Sequence, residues 1–338
     1  MYIEIDNYFY EKMKDIRLVY ERLRKYAFIL DVKDIEFDIG EIVDGRTLAM
    51  HWIRLHRSVP PLNLWHNPTI QDDDGNTLAM YWIKYFHTLP PHELLHAPDI
   101  QNNDDNTCAM LWISNCIGAV PKELLHEAYL QNDLGNTCAM LWICKYKRLP
   151  PPELIHDPSI KDLNEETCAM MWIRHVCSEI PIELIHAPDI QNDDGDTCEM
   201  LWIKYLKTEP QENIRHDPSL QNYDGETCAM HWIEYCDGRP PQYLCHDPSL
   251  KDRDDRTCAM LWINYNASIP PTIFLHNPLI RDKYGDTCAM IWIKTMQTVP
   301  PRPLLHNMSV ENFSHKTCAD LWKLFVDRKN IPRELLTM

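Results

Sequence analysis

The chain has 338 residues, a length that suggests about two ordinary domains and is ample for a sizeable core. Apolar residues make up 45% and charged residues 25%, which excludes global disorder and a collagen-like chain. Lys and Arg number 33 against 50 Asp and Glu, and the resulting formal charge of −17 disfavours holding nucleic-acid phosphates or anionic lipid on a basic face.

In chain order the first expected element is a long amphipathic helix over residues 6–30. Phe9, Met13, Ile16, Tyr20, Leu23, Ala27 and Leu30 keep a 3.6-residue period there. The helix is expected to cap the segment beyond residue 40, within an N-terminal unit at 1–40, or to join two copies of the chain. Charges run throughout this segment, so it does not read as a signal peptide. No stretch approaches the roughly 18 apolar residues of a membrane span. Residues 1–30 hold six basic and five acidic side chains, so the acidity belongs to the rest of the chain.

From about residue 41 a single pattern takes over. T-C-A-M-x-W-I recurs with a period of 30, its Thr falling at Thr47, Thr77 and so on to Thr317. Ten of the 11 Trp, nine of the 16 His and eight of the 13 Cys fall into ladders of that period. Each unit reads as turn–helix–turn–helix. Asp74-Gly75 signals a tight turn. Thr77 can N-cap a helix by accepting a backbone N–H. Ala79, Trp82 and Ile83 form one apolar helical face. Pro90-Pro91 ends that helix and suits the first turn of a second, which carries Leu94 and Leu95 and stops at Pro98. A unit this small buries its faces only by stacking on its neighbours. Nine units are expected over residues 41–310. A degenerate tenth at 311–338 caps the end, because Asp320 and Lys323 replace its Met and Ile and turn that face polar.

A turn followed by two helices, with D-G-x-T opening the first, resembles the ankyrin repeat over roughly residues 41–338. The run Thr137-Cys138-Ala139-Met140-Leu141-Trp142-Ile143 departs from the usual T-P-L-H-x-A-A, and the unit is three residues short of the usual 33. The expected fold is an all-α, ankyrin-like solenoid of about ten stacked repeats with helical caps. The resemblance implies a protein-binding scaffold or adaptor whose partners dock on the concave face, at the turn tips and the exposed side of the first helices.

The ladders read as structure. The Trp share the buried face with Ala and Ile. Equivalent His in adjacent units lie about 10 Å apart at ordinary helix spacing and cannot share a zinc ion. Placed near a helix end, they suit a free carbonyl. They would make the fold pH-sensitive if they titrate near neutrality. The Cys follow the capping Thr as small apolar residues. They are too far apart to pair, and thirteen thiols point to a reducing, intracellular compartment. The acidic turns, Asp72-Asp73-Asp74, Asp193-Asp194, Asp252 and Asp254-Asp255, lack the ligand order of a calcium loop and read as solvated tips. No cofactor, no metal and no catalytic residue are expected. A Gly-rich phosphate loop, H-E-x-x-H and G-x-S-x-G are all missing from the sequence.

Candidate partner-binding residues are those that vary between units whose core positions agree. They are Asp73, Asp74, Asp104, Leu134, Leu163, Asp194, Tyr223, Arg253 and Tyr284 at the tips, and Lys84, Arg174, Lys204, Glu234 and Lys294 just after W-I. Leu134, Leu163, Tyr223 and Tyr284 are the best single anchors. One unit breaks pattern. Glu199 stands where nine units have Ala, Arg215 where Leu or Ile is usual, and Gln211 where the others have Pro. The two charges are candidates for a specificity pair or a bend. The acidic array suggests a protein partner with basic patches, with no direct nucleic-acid or membrane contact. Two alternatives stand beside the adaptor: an acidic decoy for a nucleic-acid-binding protein, and a building block joined through residues 6–30.

Overall fold

The computed structural model of the protein describes residues 42–43, 45–326 and 330–336. The amphipathic helix expected over residues 6–30, with any self-association through it, lies outside them. The described chain opens with a two-residue hairpin, β1 (Ile42–Val43) antiparallel to β2 (Arg46–Thr47). Ten short α-helices come next among the described residues: α1 (Leu48–His56), α2 (Leu78–Phe86), α3 (Cys108–Asn115), α4 (Cys138–Tyr146), α5 (Cys168–His175), α6 (Cys198–Leu206), α7 (Cys228–Tyr235), α8 (Cys258–Asn266), α9 (Cys288–Met296) and α10 (Cys318–Phe325).

Every helix starts where the repeat predicts. The Thr before it is extended, and its Oγ1 accepts the backbone N–H three residues on, as Thr77 does from Met80 at 3.3 Å. At the other end there are two solutions. Six helices close on a left-handed residue: Arg57, His87, Lys147, Lys207, Ala267 and Gln297. The remaining four stop one residue earlier, at Cys116, Val176, Cys236 and Val326.

The second helix of each unit contracts to one 3-10 turn, such as His92–Leu94 or Glu212–Ile214. The stretch between Pro91 and Pro98 is too short to close more than one turn, and Leu95 is already extended. The unit is therefore turn, α-helix, 3-10 turn. Its single inward residue (Leu94, Leu124, Leu154 and their equivalents) is buried against the helices.

Each helix packs on the one before and the one after, so the fold is the expected ankyrin-like solenoid with a continuous core. Ala79, Met80 and Ile83 and their equivalents from Ala49 to Ile293 are almost fully buried along it. The ladder Trp from Trp82 to Trp322 are buried too, which fixes them as core. Most of their indole N–H groups find nearby acceptors, as Trp82 does on Thr88 Oγ1 and Trp112 on the Ala119 carbonyl, whereas those of Trp142 and Trp232 are buried without one among the described residues. At the C-terminal end Asp320 is partly exposed and accepts from the Thr317 N–H and hydroxyl, while Lys323 is exposed. That face is polar.

Some interfaces also carry bonds that do not repeat. Arg46 donates to Tyr81 Oη at 2.6 Å and to Asp74 at 2.7 Å. Lys145 donates to the Ile113, Ser114 and Cys116 carbonyls and so caps the early end of α3 from the next unit. Gln211 keeps the backbone angles of the Pro it replaces. Its Oε1 accepts the Ile180 N–H of the preceding unit.

Candidate interaction surface

The turn that carries the tips is built around a buried acceptor. Asp72 Oδ1 accepts the N–H groups of Asp74 and Asn76, and Asn102 Oδ1 those of Asp104 and Asn106. The same bonds recur at Asn132, Asp162, Asn192, Asn222, Asp252, Asp282 and Asn312. Asp72 and Asp252, read from the sequence as solvated, are each only 6% exposed. Either Asp or Asn stands at this position because each offers the one oxygen the turn needs. Its return every thirty residues was the signal for it.

A second series ties neighbouring turns together. Gln71 Nε2 donates to the Gly75 carbonyl of its own turn and to the Gln101 carbonyl of the next unit. Gln101, Gln131, Gln191 and Gln221 repeat the pair of bonds, and Lys161 and Lys251 substitute their ammonium groups for the link to the next unit. The tips themselves are joined by one backbone bond per step. Leu163 N–H donates to the Leu134 carbonyl, Tyr223 to Asp194 and Phe313 to Tyr284, each at 3.1 Å.

This scaffold sets the expected binding residues in two groups. Asp73, Asp74, Asp104, Leu134, Leu163, Asp194, Tyr223, Arg253 and Tyr284 are all exposed along the tips. Of the helix positions, Lys84 is exposed, whereas Arg174, Lys204, Glu234 and Lys294 are half-buried. Three of those four reach back to the acid that precedes the capping Thr. Arg174 lies 2.7 Å from Glu166, Lys204 3.7 Å from Asp196, and Lys294 is bonded to Asp286. Several tip charges are paired as well: Asp74 with Arg46, Arg253 with Asp224, and Lys283 with Asp254.

Among the described residues no charged group engages Leu134, Leu163, Tyr223 or Phe313, while the Lys283 ammonium lies 5.2 Å over the Tyr284 ring. Leu134 and Leu163 sit on adjacent tips, as do Tyr284 and Phe313, with Tyr223 between the two pairs. Tyr223 is 71% exposed and Phe313 67%. Phe313 escaped the sequence reading because it falls in the degenerate last unit. Its register, thirty residues after Lys283, places it on the tip row.

Behind the tips lies a polar relay. His96 Nε2 meets Thr77 Oγ1 at 2.8 Å, and His96 Nδ1 meets the Ala97 carbonyl at 2.7 Å. A carbonyl only accepts, so Nδ1 carries the proton and Nε2 accepts from the Thr hydroxyl. Cys108 of the next unit lies 3.6 Å from the same Nε2. Burial holds His96 and six sister rings below the ordinary imidazole value. Burial likewise pushes Cys108, Cys138, Cys168, Cys198, Cys258, Cys288 and Cys318 up to about 12.

Glu199 and Arg215 take different partners. Glu199 is 1% exposed and its Oε2 accepts the His216 backbone N–H. Arg215 bonds Glu209 and the Pro210 carbonyl and lies 3.8 Å over the Tyr243 ring.

No helix among the described residues is long and apolar enough to cross a membrane. All thirteen cysteines are free thiols. No protein-family model and no curated protein matches the chain. Among solved structures it is similar to the ankyrin repeat domain of Bcl-3, described as a unique member of the IkappaB protein family. That likeness has 14% identity, covers 58% of this chain and 82% of that one, and has a TM-score of 0.27. A second, EF0377, an ankyrin repeat protein, is 16% identical over 60% of this chain and 80% of its own, with a TM-score of 0.21. The fold assignment rests on the repeat geometry above.

Proposed function

We propose that the chain is a protein-binding scaffold or adaptor that holds its partner along the tip row and the adjoining, concave side of the helices. The observation that carries this reading is a contrast within one molecule. Turns with the same buried Asp or Asn and the same backbone bonds present unlike, exposed apolar residues: Leu134, Leu163, Tyr223, Tyr284 and Phe313. Exposed aromatic side chains on a rigid support are the usual anchors of an interface. Asp104 and Asp194, on tips bonded to Asp133 and Tyr223, border them as a polar rim, and Asp73 and Lys84 extend the exposed polar surface towards the N-terminal units.

Net acidity favours a partner with basic patches, through long-range complementarity. The decoy reading needs a regular row of free carboxylates, and the ion pairs at Asp74, Asp224 and Asp254 count against it. The free thiols suit an intracellular, reducing compartment.

The test is a tagged pull-down from native lysate at two salt concentrations, read by mass spectrometry. Tyr223→Ala/Tyr284→Ala and Tyr284→Ala/Phe313→Ala serve as paired variants. A partner retained by the wild type and lost by both variants, with unchanged circular dichroism, is expected. Retention of the same proteins by both variants would remove the tip row from consideration.

A further inference from the structure

One interface of the array contains a group the others lack. Each internal unit brings the His that lies just beyond its 3-10 turn against the Cys that opens the next helix, as in His96–Cys108, His156–Cys168 and His276–Cys288 at 3.6 Å. In the unit of α6 the residue beneath this pair is Glu199 instead of Ala. Its Oε2 lies 3.4 Å from His216 Nε2, and Cys228 Sγ lies 3.4 Å from the same nitrogen. The ligand atoms of the three residues all fall within 4.8 Å of one another.

Two features of this cluster call for a cation. His216 Nδ1 faces the Asp217 carbonyl at 2.8 Å and so carries the ring proton. Nε2 therefore carries no proton, and its lone pair, which takes the Thr197 hydroxyl at 2.8 Å, also stands 3.4 Å from a carboxylate oxygen. The second feature is Glu199 Oε1, which is buried and has no hydrogen-bond partner among the described residues. Arg215, the nearby positive group, is turned to Glu209 and Tyr243.

We propose that Glu199, His216 and Cys228 form a binding site for one zinc ion between two consecutive repeats. Typical Zn–S, Zn–N and Zn–O distances place the donors of a tetrahedral site about 3.3–3.6 Å apart, and the two distances from Nε2 already match. One thiolate, one carboxylate and one neutral imidazole neutralise a divalent ion and suit its borderline softness. The Nδ1–H bond to the Asp217 carbonyl fixes the ring with Nε2 directed at the ion. The metal would take the Nε2 lone pair in place of the Thr197 hydroxyl, which now stands 2.8 Å from it and would be left beside the fourth position. On binding, the Cys228 thiol releases its proton to solvent and the sulfur lone pair forms the metal bond. The site differs from the one excluded by the His spacing: its ligands come from two helices and the segment between them at one interface, so no two ladder His share the ion.

The ligands are buried, so the ion enters as the unit folds. The full chain is refolded under reducing conditions with cobalt(II) as the spectroscopic probe. Zinc displacement comes next, and then metal analysis after gel filtration. One equivalent per chain, with a thiolate-to-cobalt charge-transfer band that zinc abolishes, is expected. Glu199→Ala restores the residue of the other nine units and so keeps the fold. It is expected to weaken binding at least 100-fold. Cys228→Ser removes the charge-transfer band. A wild-type chain that folds with no such band at one equivalent overturns the proposal and leaves a proton as the bridge between Glu199 and His216. A band of equal affinity in folded Glu199→Ala overturns it too, by placing the metal on other thiols.

Discussion

Thr137 Oγ1 and His156 Nε2 stand 2.7 Å apart, and the same pair recurs at 2.6–2.8 Å from Thr47–His66 to Thr287–His306. The Thr hydroxyl serves two structures at once. It accepts the Met140 N–H to cap α4 and donates to the ring that ends the same unit. Loss of the hydroxyl removes the cap, at about 0.5–2 kcal/mol. It also leaves a buried ring nitrogen unsatisfied, at about 1–3 kcal/mol. Thr137→Val is therefore expected to cost about 2–4 kcal/mol by urea denaturation, and Thr137→Ser, which keeps the oxygen, under about 1 kcal/mol.

The same rings set a pH dependence. Burial holds His66, His96, His156, His186, His246, His276 and His306 neutral in the folded state below their ordinary value of 6.5. The unfolded chain takes up those protons near pH 6.5 and the folded chain does not, so stability rises with pH there. It is complete above about pH 7.5 and falls as the pH drops through about 6.5. Glu166, Glu199 and Asp282, whose carboxyls burial raises, work in the opposite direction at lower pH. Thermal unfolding at pH 7.5 and pH 6 is expected to show a midpoint lower by about 5 °C or more at the acid end.

The tip turns require a left-handed residue next to the following backbone. Gly195 has φ of 77°, and a Cβ placed on it would stand 2.5 Å from the Tyr223 amide nitrogen. Gly195→Ala is expected to destabilise the chain by about 2 kcal/mol or more, from αL strain and the clash together. Asp105, Glu165 and Asp255 hold the same conformation with a side chain. Glu165→Gly is expected to stabilise by up to about 1 kcal/mol, a contrast that chemical denaturation reads directly.

Thiol accessibility sorts the cysteines. Cys144 and Cys177 are exposed, whereas the eight ladder thiols are buried. Burial, with Glu166 and Asp162 nearby, raises the Cys144 thiol. Alkylation of the native protein near neutral pH, mapped by mass spectrometry, is expected to modify Cys177 first and Cys144 second. The ladder thiols react only on unfolding, since the thiolate is the nucleophile. Comparable rates at Cys138 and Cys177 would contradict the packing described.

The period, the Thr caps and the Trp core were legible because each repeats a local rule from unit to unit. The second helix was misjudged in length. Leu94-Leu95 has helical spacing, but the flanking prolines leave room for one turn only. The buried Asp72 was hidden by its neighbours, because Asp73 and Asp74 beside it are solvent-facing and composition cannot separate the three. Glu199 was visible as an exception. Its partner was not, because His216 and Cys228 approach it through stacking, from the next helix and the intervening turn.

The bonds that do not repeat bear on a hazard peculiar to such chains. Ten segments with almost the same core invite a helix to dock on the wrong neighbour, since α2 and α3 present α4 with the same core residues, Ala79, Met80 and Ile83 against Ala109, Met110 and Ile113. The three-carbonyl grip of Lys145 needs a helix that stops at Cys116, which α2 does not. Gln211 needs the Ile180 amide, and Arg46 needs Tyr81 and Asp74. Each works as an address label, readable only by the segment that precedes or succeeds it in the genuine order. Together they penalise shuffled assemblies that hydrophobic burial alone would accept.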